Sequence, residues 1–139
     1  MNDPIVKPTF DRSLVHARLS AAMASPEFPD FLHHRATEDI VDRLNLILRD
    51  FETAVVIADK PDDLTPRLKA TGRFKHLVAA RTTGHHAADI VCNDEILPFA
   101  DNSVDCIISL LNLHHVNDLP GALIQIARAL RPDGLFMAA

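Results

Sequence analysis

The sequence contains neither tryptophan nor tyrosine, and it has only two cysteines and four glycines. Without these large aromatic rings, we do not expect a platform on which nucleic-acid bases stack. Cys92 and Cys106 lie inside apolar runs, so we interpret them as small buried residues in a reducing cytoplasm. No apolar run approaches the roughly 18 residues of a membrane span. The N-terminal residues MNDPIVKP also lack the apolar core of an export signal, so we predict a cytoplasmic protein.

The composition that remains is typical of one folded domain. The 139 residues are 47% apolar and 24% charged, which is enough to form a real hydrophobic core. The net charge is −5, and the lysines and arginines are scattered along the chain. Such a distribution argues against a nucleic-acid partner.

Hydrophobic periodicity predicts strands that alternate with helices, which is the pattern of an α/β domain with a mainly parallel sheet. The predicted strands are 54–58, 76–80, 90–92, 104–110 and 135–138. The predicted helices are 10–24, 37–50, a short one from Asp62 or Asp63 to about Ala70, and one that Asp118 caps. Apolar residues repeat on one face of two of these helices: Ile40, Val41, Leu44, Ile47 and Leu48 in one, and Leu119, Leu123, Ile126 and Leu130 in the other.

We divide the chain into an N-terminal helical segment, 1–50, and an α/β core, 51–139, which together form one domain. The last residues, GLFMAA, belong to an apolar strand, whereas domain boundaries usually fall in polar linkers. We therefore expect that a longer parent sequence continues from here. An exposed apolar strand edge recruits another strand, so we predict a homodimer, or a complementary chain, that pairs with 135–138.

The turn after the first predicted strand has an unusual composition. Residues 53–63 read TAVVIADKPDD, and this turn contains no glycine. In nucleotide-binding α/β domains glycines at this turn let the backbone approach the ligand closely. Either this strand does not serve a ligand, or its ligand site has been lost.

Five segments occur in an informative order: FDRS at 10–13, RDF at 49–51, DEILPFADNSVD at 94–105, LHHVNDLPGAL at 113–123 and LRPDGLF at 130–136. In this order they resemble class I S-adenosylmethionine-dependent methyltransferases of the type 11-like group. The nearest branch resembles bacterial relatives of the complex I assembly methyltransferase-like arginine hydroxylase. The resemblance implies a Rossmann-like sheet with strands 1–5 in the order 3-2-1-4-5, without strands 6 and 7, and S-adenosylmethionine as the cofactor. It also implies one of two functions: a methyltransferase-like protein with a degenerate cofactor site, or a non-catalytic scaffold or assembly factor that uses the fold to bind a partner.

The resemblance also indicates which positions would bind the cofactor. It places Val56 where the family has an acid, and it places Ala58, Lys60 and Asp62 where the family has glycines. Ala80 or Arg81 stands where the family has the acid that binds the ribose hydroxyls, and neither side chain can accept those hydrogen bonds. Asn93, followed by Asp94, stands where an aspartate contacts the adenine amino group, and the Asn93 carbonyl can still accept from that group. We therefore predict that S-adenosylmethionine binds weakly or not at all.

The link between the second and third predicted strands, Arg81 to Asp89, has nine residues. A parallel crossover usually needs a dozen or more. Either the helix of this crossover is lost or the third strand is displaced.

Histidines occur in three adjacent pairs: His33-His34, His85-His86 and His114-His115. Neighbouring side chains point apart on a helix or strand, and no metal-ligand spacing accompanies the pairs, so we predict no metal site. His114 and His115 lie just beyond the fourth predicted strand, where open α/β sheets bind ligands. They are the candidate catalytic or substrate-binding residues, with the alternative that they are loop residues packed under the next helix.

Overall fold

The computed structural model describes residues 7–60, 63–84 and 88–139. In these residues the chain forms the strands β1 (Phe51–Ile57), β2 (Phe74–Arg81), β3 (Ile90–Val91), β4 (Val104–Ser109) and β5 (Leu130–Ala138). It also forms the helices α1 (Arg12–Ala24), α2 (Phe31–Asn45), α3 (Leu64–Ala70) and α4 (Leu119–Ala129), with a short 3₁₀ turn at Leu113–His115. None of these helices is both long and apolar enough to cross a membrane.

The five strands form one sheet in the order β3-β2-β1-β4-β5, and every neighbouring pair is parallel. This arrangement confirms the predicted order. The centre of the sheet is β1 and β4, where Val55 pairs with Ile107 and Val56 with Ile108. Every residue of β4 is buried, and so are the last four of β1. Continuous β-branched and apolar runs of this kind suit strands that are covered on both faces.

Helices cover the sheet on both faces. On the first face, α2 and α3 place Ile40, Leu44, Leu64 and Leu68 in one core cluster with Val56 and Ile108. On the second face, α4 places Ile126 and Ala129 in another cluster with Val55, Ile57 and Ile107. The alternation of side chains along each strand assigns neighbouring residues to opposite clusters. The core therefore consists of two apolar layers that the sheet separates.

The second helix differs from its predicted bounds of 37–50, because α2 begins at Phe31 and ends at Asn45. Its predicted inner face is correct at Ile40 and Leu44, each 1% exposed. It is wrong at Leu48, which lies beyond the end of the helix and is 93% exposed. Helical periodicity continued past Asn45 in the sequence, although the backbone there already turns towards β1.

The predicted core stripe of α4 is also shifted. The buried residues are Ala122, Ile126 and Ala129, whereas Leu119 and Leu123 are more than a third exposed. Both sets have helical spacing, so periodicity alone does not choose between them. Small alanines at the contact let the helix backbone approach the sheet, and the leucines then lie at its flank.

The last strand is longer than predicted, since β5 begins at Leu130, which pairs with Val104. The register then shifts before Leu135 pairs with Cys106. Within this irregularity Asp133 has a φ of 65°, a left-handed conformation that aspartate tolerates better than most residues. The segment Arg131–Gly134 therefore interrupts the pairing of the strand with β4 rather than only ending the helix.

The short crossover after β2 still returns to a parallel strand. Ala80 pairs with Ile90 and Arg81 with Val91, so β3 has only two residues. The Asp89 carboxylate accepts from the Ala79 N–H at 2.8 Å, and the Asp89 N–H donates to the Ala79 carbonyl at 3.0 Å. No helix forms in the parts of the crossover that the structure describes, 82–84 and 88–89. The first of the two predicted alternatives, loss of the helix, fits these residues.

Candidate functional site

The carboxyl ends of the parallel strands meet at one edge of the sheet, which is where ligands bind in open α/β folds. Here this edge carries Asp59 after β1, Thr82 and Thr83 after β2, Asp94 after β3 and His115 after β4. All five residues are buried although all are polar or ionisable. Buried polar groups need partners, so their hydrogen bonds define what this edge can do.

A dense hydrogen-bond network joins the ends of β1 and β2. The Asp59 carboxylate accepts from the Thr82 N–H at 2.9 Å, from the Thr82 hydroxyl at 2.6 Å and from the Thr83 N–H at 3.2 Å. The Arg81 guanidinium donates to the Asp59 carbonyl at 2.8 Å and is 2% exposed. The protein's own groups therefore occupy the carboxylate and the carbonyl of Asp59 at this end of the two strands.

An arginine of α1 reaches the ends of β3 and β4. Arg12 forms an ion pair with Asp94 and donates to the His115 carbonyl at 2.8 Å. Burial raises the pKa of Asp94 above its usual value, and the Arg12 charge opposes that rise. The second carboxylate oxygen of Asp94 is buried and has no hydrogen-bond partner among the described residues.

Side chains in and after β4 carry further buried polar atoms without partners in the described part of the chain. They are the Ser109 hydroxyl, both amide atoms of Asn112 and both ring nitrogens of His115. Burial lowers the pKa of His115 below its usual value, with the neighbouring His114 and Arg12 charges acting in the same direction. The His115 ring is therefore neutral at pH 7, with one N–H donor and one acceptor nitrogen.

The resemblance aligns four positions in and after β1 with the family's acid and glycines, and the described ones contain side chains that pack in the core or form hydrogen bonds. Val56 is 0% exposed in the first core cluster, and Ala58 is buried with its N–H donating to the Ala80 carbonyl at 3.1 Å. Lys60 donates to the Asp30 carboxylate at 3.2 Å and lies 4.7 Å from the centre of the Phe28 ring. Asp62 lies outside the described residues.

The other predicted site residues are separated in the structure. Asn93 is exposed, and its side-chain carbonyl accepts from the Glu95 N–H at 2.9 Å in a local turn. Asp94, the next residue, points into the buried edge towards Arg12. His114 is exposed, whereas its neighbour His115 is buried, and their ring centres are 4.8 Å apart. Arg81, Asp94 and His115 therefore lie at the buried carboxyl edge of the sheet, while Asn93 and His114 lie at its surface.

Sequence reasoning missed Arg12, Asp59 and Thr82 as parts of this edge. Arg12 lies in the FDRS segment, but its contact with Asp94 spans 82 residues of sequence, so no local spacing reveals it. Asp59 directly follows the first predicted strand, and this position could have indicated a residue at the ligand-binding edge of the sheet.

Comparison with known proteins identifies the family. A methyltransferase domain profile matches residues 67–138, more than half of the chain. The chain belongs to this methyltransferase-domain family. It is 36% identical over 141 aligned residues to the mitochondrial arginine-hydroxylase NDUFAF5 of Mus musculus, covering 94% of this chain and 41% of that protein. The chain thus spans less than half of the length of this relative.

Solved structures of other proteins have the same fold. N-methyltransferase NodS from Bradyrhizobium japonicum, in complex with S-adenosyl-L-homocysteine, superposes with a TM-score of 0.68 at 13% identity, covering 87% of this chain and 70% of that one. The Haloferax volcanii protein that forms a complex with the Trm112 methyltransferase activator gives 0.65 at 20% identity, covering 89% of this chain and 56% of that one. These comparisons confirm the resemblance and the methyltransferase-like fold.

The residues at the ends of β1 and β2 do not fit S-adenosylmethionine in the manner that the family implies. Val56 and Ala58 supply neither a carboxylate nor a glycine, and neither Asp59 nor Lys60 adopts the positive φ that glycine permits. Where the resemblance places the ribose-binding acid, the buried Arg81 side chain carries only N–H donors and no acceptor atom. A ribose would therefore meet a cation where its hydroxyls need a carboxylate.

Proposed function

We propose that this chain is a methyltransferase-like protein with a degenerate cofactor site, which binds S-adenosylmethionine weakly or not at all. The observation that carries this proposal is Arg81. Its guanidinium is buried and donates to the Asp59 carbonyl, and Arg81 is one of the two residues, with Ala80, that the resemblance aligns with the family's ribose-binding acid. Removing a carboxylate that pairs with two hydroxyls, and replacing it with a donor, costs both hydrogen bonds and leaves the ribose unsatisfied.

Calorimetric titration of the full chain with S-adenosylmethionine and S-adenosyl-L-homocysteine tests the proposal. We expect no heat of binding at low micromolar ligand and a dissociation constant no tighter than about 1 mM, equivalent to about −4 kcal/mol. NodS, whose complex with S-adenosyl-L-homocysteine is known, serves as the positive control. A micromolar dissociation constant at neutral pH would overturn the proposal.

A second candidate function is that of a non-catalytic scaffold or assembly factor that uses the same fold to hold a protein partner. The open edge of β5 favours it, because no described strand pairs with the far side of β5. The Ala139 N–H donates to the Ser109 carbonyl of β4 at 3.1 Å. Because successive N–H groups along a strand point to opposite sides, those of Phe136 and Ala138 face away from β4. Leu135, Phe136 and Met137 are only partly buried. We propose that 135–138 pairs with a second copy of this chain, with a complementary chain as the other occupant.

The mouse relative carries the name arginine-hydroxylase, and the likeness extends over 94% of this chain. By analogy with this relative, we propose that the chain acts on a protein substrate or binds an assembly partner. We also propose a cytoplasmic location, since Cys92 and Cys106 are both free thiols. Burial raises the pKa of the Cys106 thiol to about 12, so this residue is a packed core side chain rather than a reactive group.

A further inference from the structure

The start of α2 meets the start of α3 through one histidine side chain. His34 of α2 places its Nδ1 atom 3.0 Å from a carboxylate oxygen of Asp63, the residue before α3. Its Nε2 atom lies 3.2 Å from a carboxylate oxygen of Asp30, the residue before α2. The two carboxylates therefore contact different nitrogens of the same ring.

Each of these carboxylates also has a second basic partner. Lys60, in the turn after β1, donates to Asp30 at 3.2 Å, and Arg67 of α3 donates to Asp63 at 2.9 Å. The hydrogen bond from Lys60 lowers the pKa of Asp30 below its usual value. Basic and acidic groups thus alternate along a row that we call the α2–α3 clasp: Lys60, Asp30, His34, Asp63 and Arg67.

The position of the His34 ring between two carboxylates favours its protonated form. A neutral imidazole has one N–H donor and one acceptor nitrogen, so one of its nitrogens would face a carboxylate oxygen with a lone pair. A protonated ring has an N–H on both nitrogens and is attracted to both carboxylates. The hydrogen bond to Asp63 raises the pKa of His34 above its usual value, and the charge of Asp30 adds to this rise.

The neighbouring charged groups on α2 have other contacts. Arg35 and Glu38 pair with each other at 3.7 Å. His33 packs against the Phe28 ring, with the ring centres 5.5 Å apart. Burial lowers the pKa of His33 below its usual value, and the charge of Lys60 acts in the same direction. Two adjacent histidines therefore have pKa values shifted in opposite directions.

The clasp borders a cavity of about 260 Å³. Four members of the clasp line this cavity together with His33 and the buried Thr37. Because His34 and Asp63 line it from different elements, loss of their contact would widen it on that side. The His34 side chain is 51% exposed, so solvent screens the contact, and we expect its loss to act on local opening rather than on global unfolding.

We propose that the α2–α3 clasp is a pH-sensitive switch, in which protonated His34 joins the starts of α2 and α3 and loss of its proton separates them. A group whose pKa is raised by folding contributes stability that is complete below its unfolded pKa, about 6.5 for histidine, and that is lost as the pH rises through the folded pKa. The clasp is therefore closed in mildly acidic solution and opens on the Asp63 side as the pH rises. Lys60 still contacts Asp30 in the open form, so α2 keeps its link to the turn after β1.

NMR titration of the histidine side chains in the full chain tests the protonation step. We expect the His34 ring to titrate above about pH 6.5 and the His33 ring below it. Asp63→Asn removes one carboxylate charge and should lower the His34 midpoint. The matched control is Asp39→Asn, which changes a carboxylate of α2 that pairs with Arg43 and should leave the midpoint unchanged. A His34 midpoint at or below about pH 6.5, or the same midpoint in the wild type and Asp63→Asn, would contradict the proposal.

Amide hydrogen exchange tests the separation of the two helix starts. The Arg67 N–H donates to the Asp63 carbonyl at 3.4 Å, so its exchange reports on the first turn of α3. After correction for the intrinsic effect of pH, we expect this exchange to accelerate about threefold or more between about pH 6 and about pH 8.5 in the wild type. It should stay constant in His34→Gln, whose side chain does not titrate.

His76→Gln, at an exposed position of β2, is the matched control and should keep the wild-type acceleration. No acceleration in the wild type, or the same acceleration in His34→Gln, would overturn the switch. Neither measurement uses S-adenosylmethionine, so failure of the switch is distinct from failure of the proposed function.

Discussion

The packing of α4 can be tested by truncating two of its aliphatic side chains by the same number of carbon atoms. Ile126 is 3% exposed and packs in the second core cluster, whereas Leu123 is 39% exposed. Each substitution by alanine removes three carbon atoms, worth about 2.4 kcal/mol when they are fully buried. At Ile126 a cavity adds to this loss, because the surrounding sheet relaxes only partly. At Leu123 much of the side chain already meets solvent, so truncation opens no closed cavity.

We therefore expect Ile126→Ala to lower the free energy of unfolding by about 3–4 kcal/mol and Leu123→Ala by about 1 kcal/mol or less. Urea denaturation followed by circular dichroism measures both values, and an unchanged slope with urea shows that the two-state comparison holds. The measurements need one fixed protein concentration, since self-association would add to apparent stability. An equal loss for the two variants, or a greater loss at Leu123, would show that α4 faces the sheet through its leucines and would refute its packing through Ile126.

Three further predictions concern the sheet edge, the β1–β2 network and β5. Burial lowers the pKa of His115, so below about pH 6.5 the unfolded chain binds more protons than the folded chain, and the wild-type protein loses stability as the pH falls. His115→Phe should lose less stability than the wild type over the same fall in pH. Asp59→Ala should cost about 2–4 kcal/mol in urea melts, since it leaves buried donors of Thr82 and Thr83 without their acceptor, and Asp59→Asn should cost less because it keeps one carbonyl oxygen. In analytical ultracentrifugation the wild-type chain should sediment as a species of about twice 15.3 kDa, and Ala138→Pro, which removes an outward N–H, should give the monomer while Ala138→Ser does not.

Each of these predictions has an outcome that contradicts it. Parallel pH profiles for the wild type and His115→Phe would show that the ring is not held neutral by burial. A loss below about 0.5 kcal/mol for Asp59→Ala would show that water satisfies the threonine donors in its place. A wild-type monomer at high concentration, or an Ala138→Pro variant that remains dimeric, would exclude strand pairing through the outer edge of β5.

The order of the sheet could be predicted because it follows from local signals and a family resemblance. The apolar, β-branched runs of β1 and β4 indicate central strands, since both faces of such strands need apolar side chains. Element bounds were less accurate, as at α2 and β5, because periodicity persists beyond the point where the backbone leaves a regular conformation. At the candidate site, Arg81, Asp94 and His115 could be named from the sequence, but the partners that explain them could not. Arg12 contacts Asp94 across 82 residues of sequence, and no residue spacing encodes such a contact.

The sequence by itself determined the alternation of strands and helices, the missing glycines after β1 and the family to which the chain belongs, because these depend on residue type and short-range order. Tertiary structure decided which of two equally spaced stripes of α4 is buried, because both stripes satisfy helical periodicity and only contact with the sheet distinguishes them. It also decided that Asp94 and His115 are buried beside Arg12, while their neighbours Asn93 and His114 face the surface. Neighbouring residues share nearly the same local sequence, so only the direction in which the folded backbone presents each side chain separates a buried group from an exposed one.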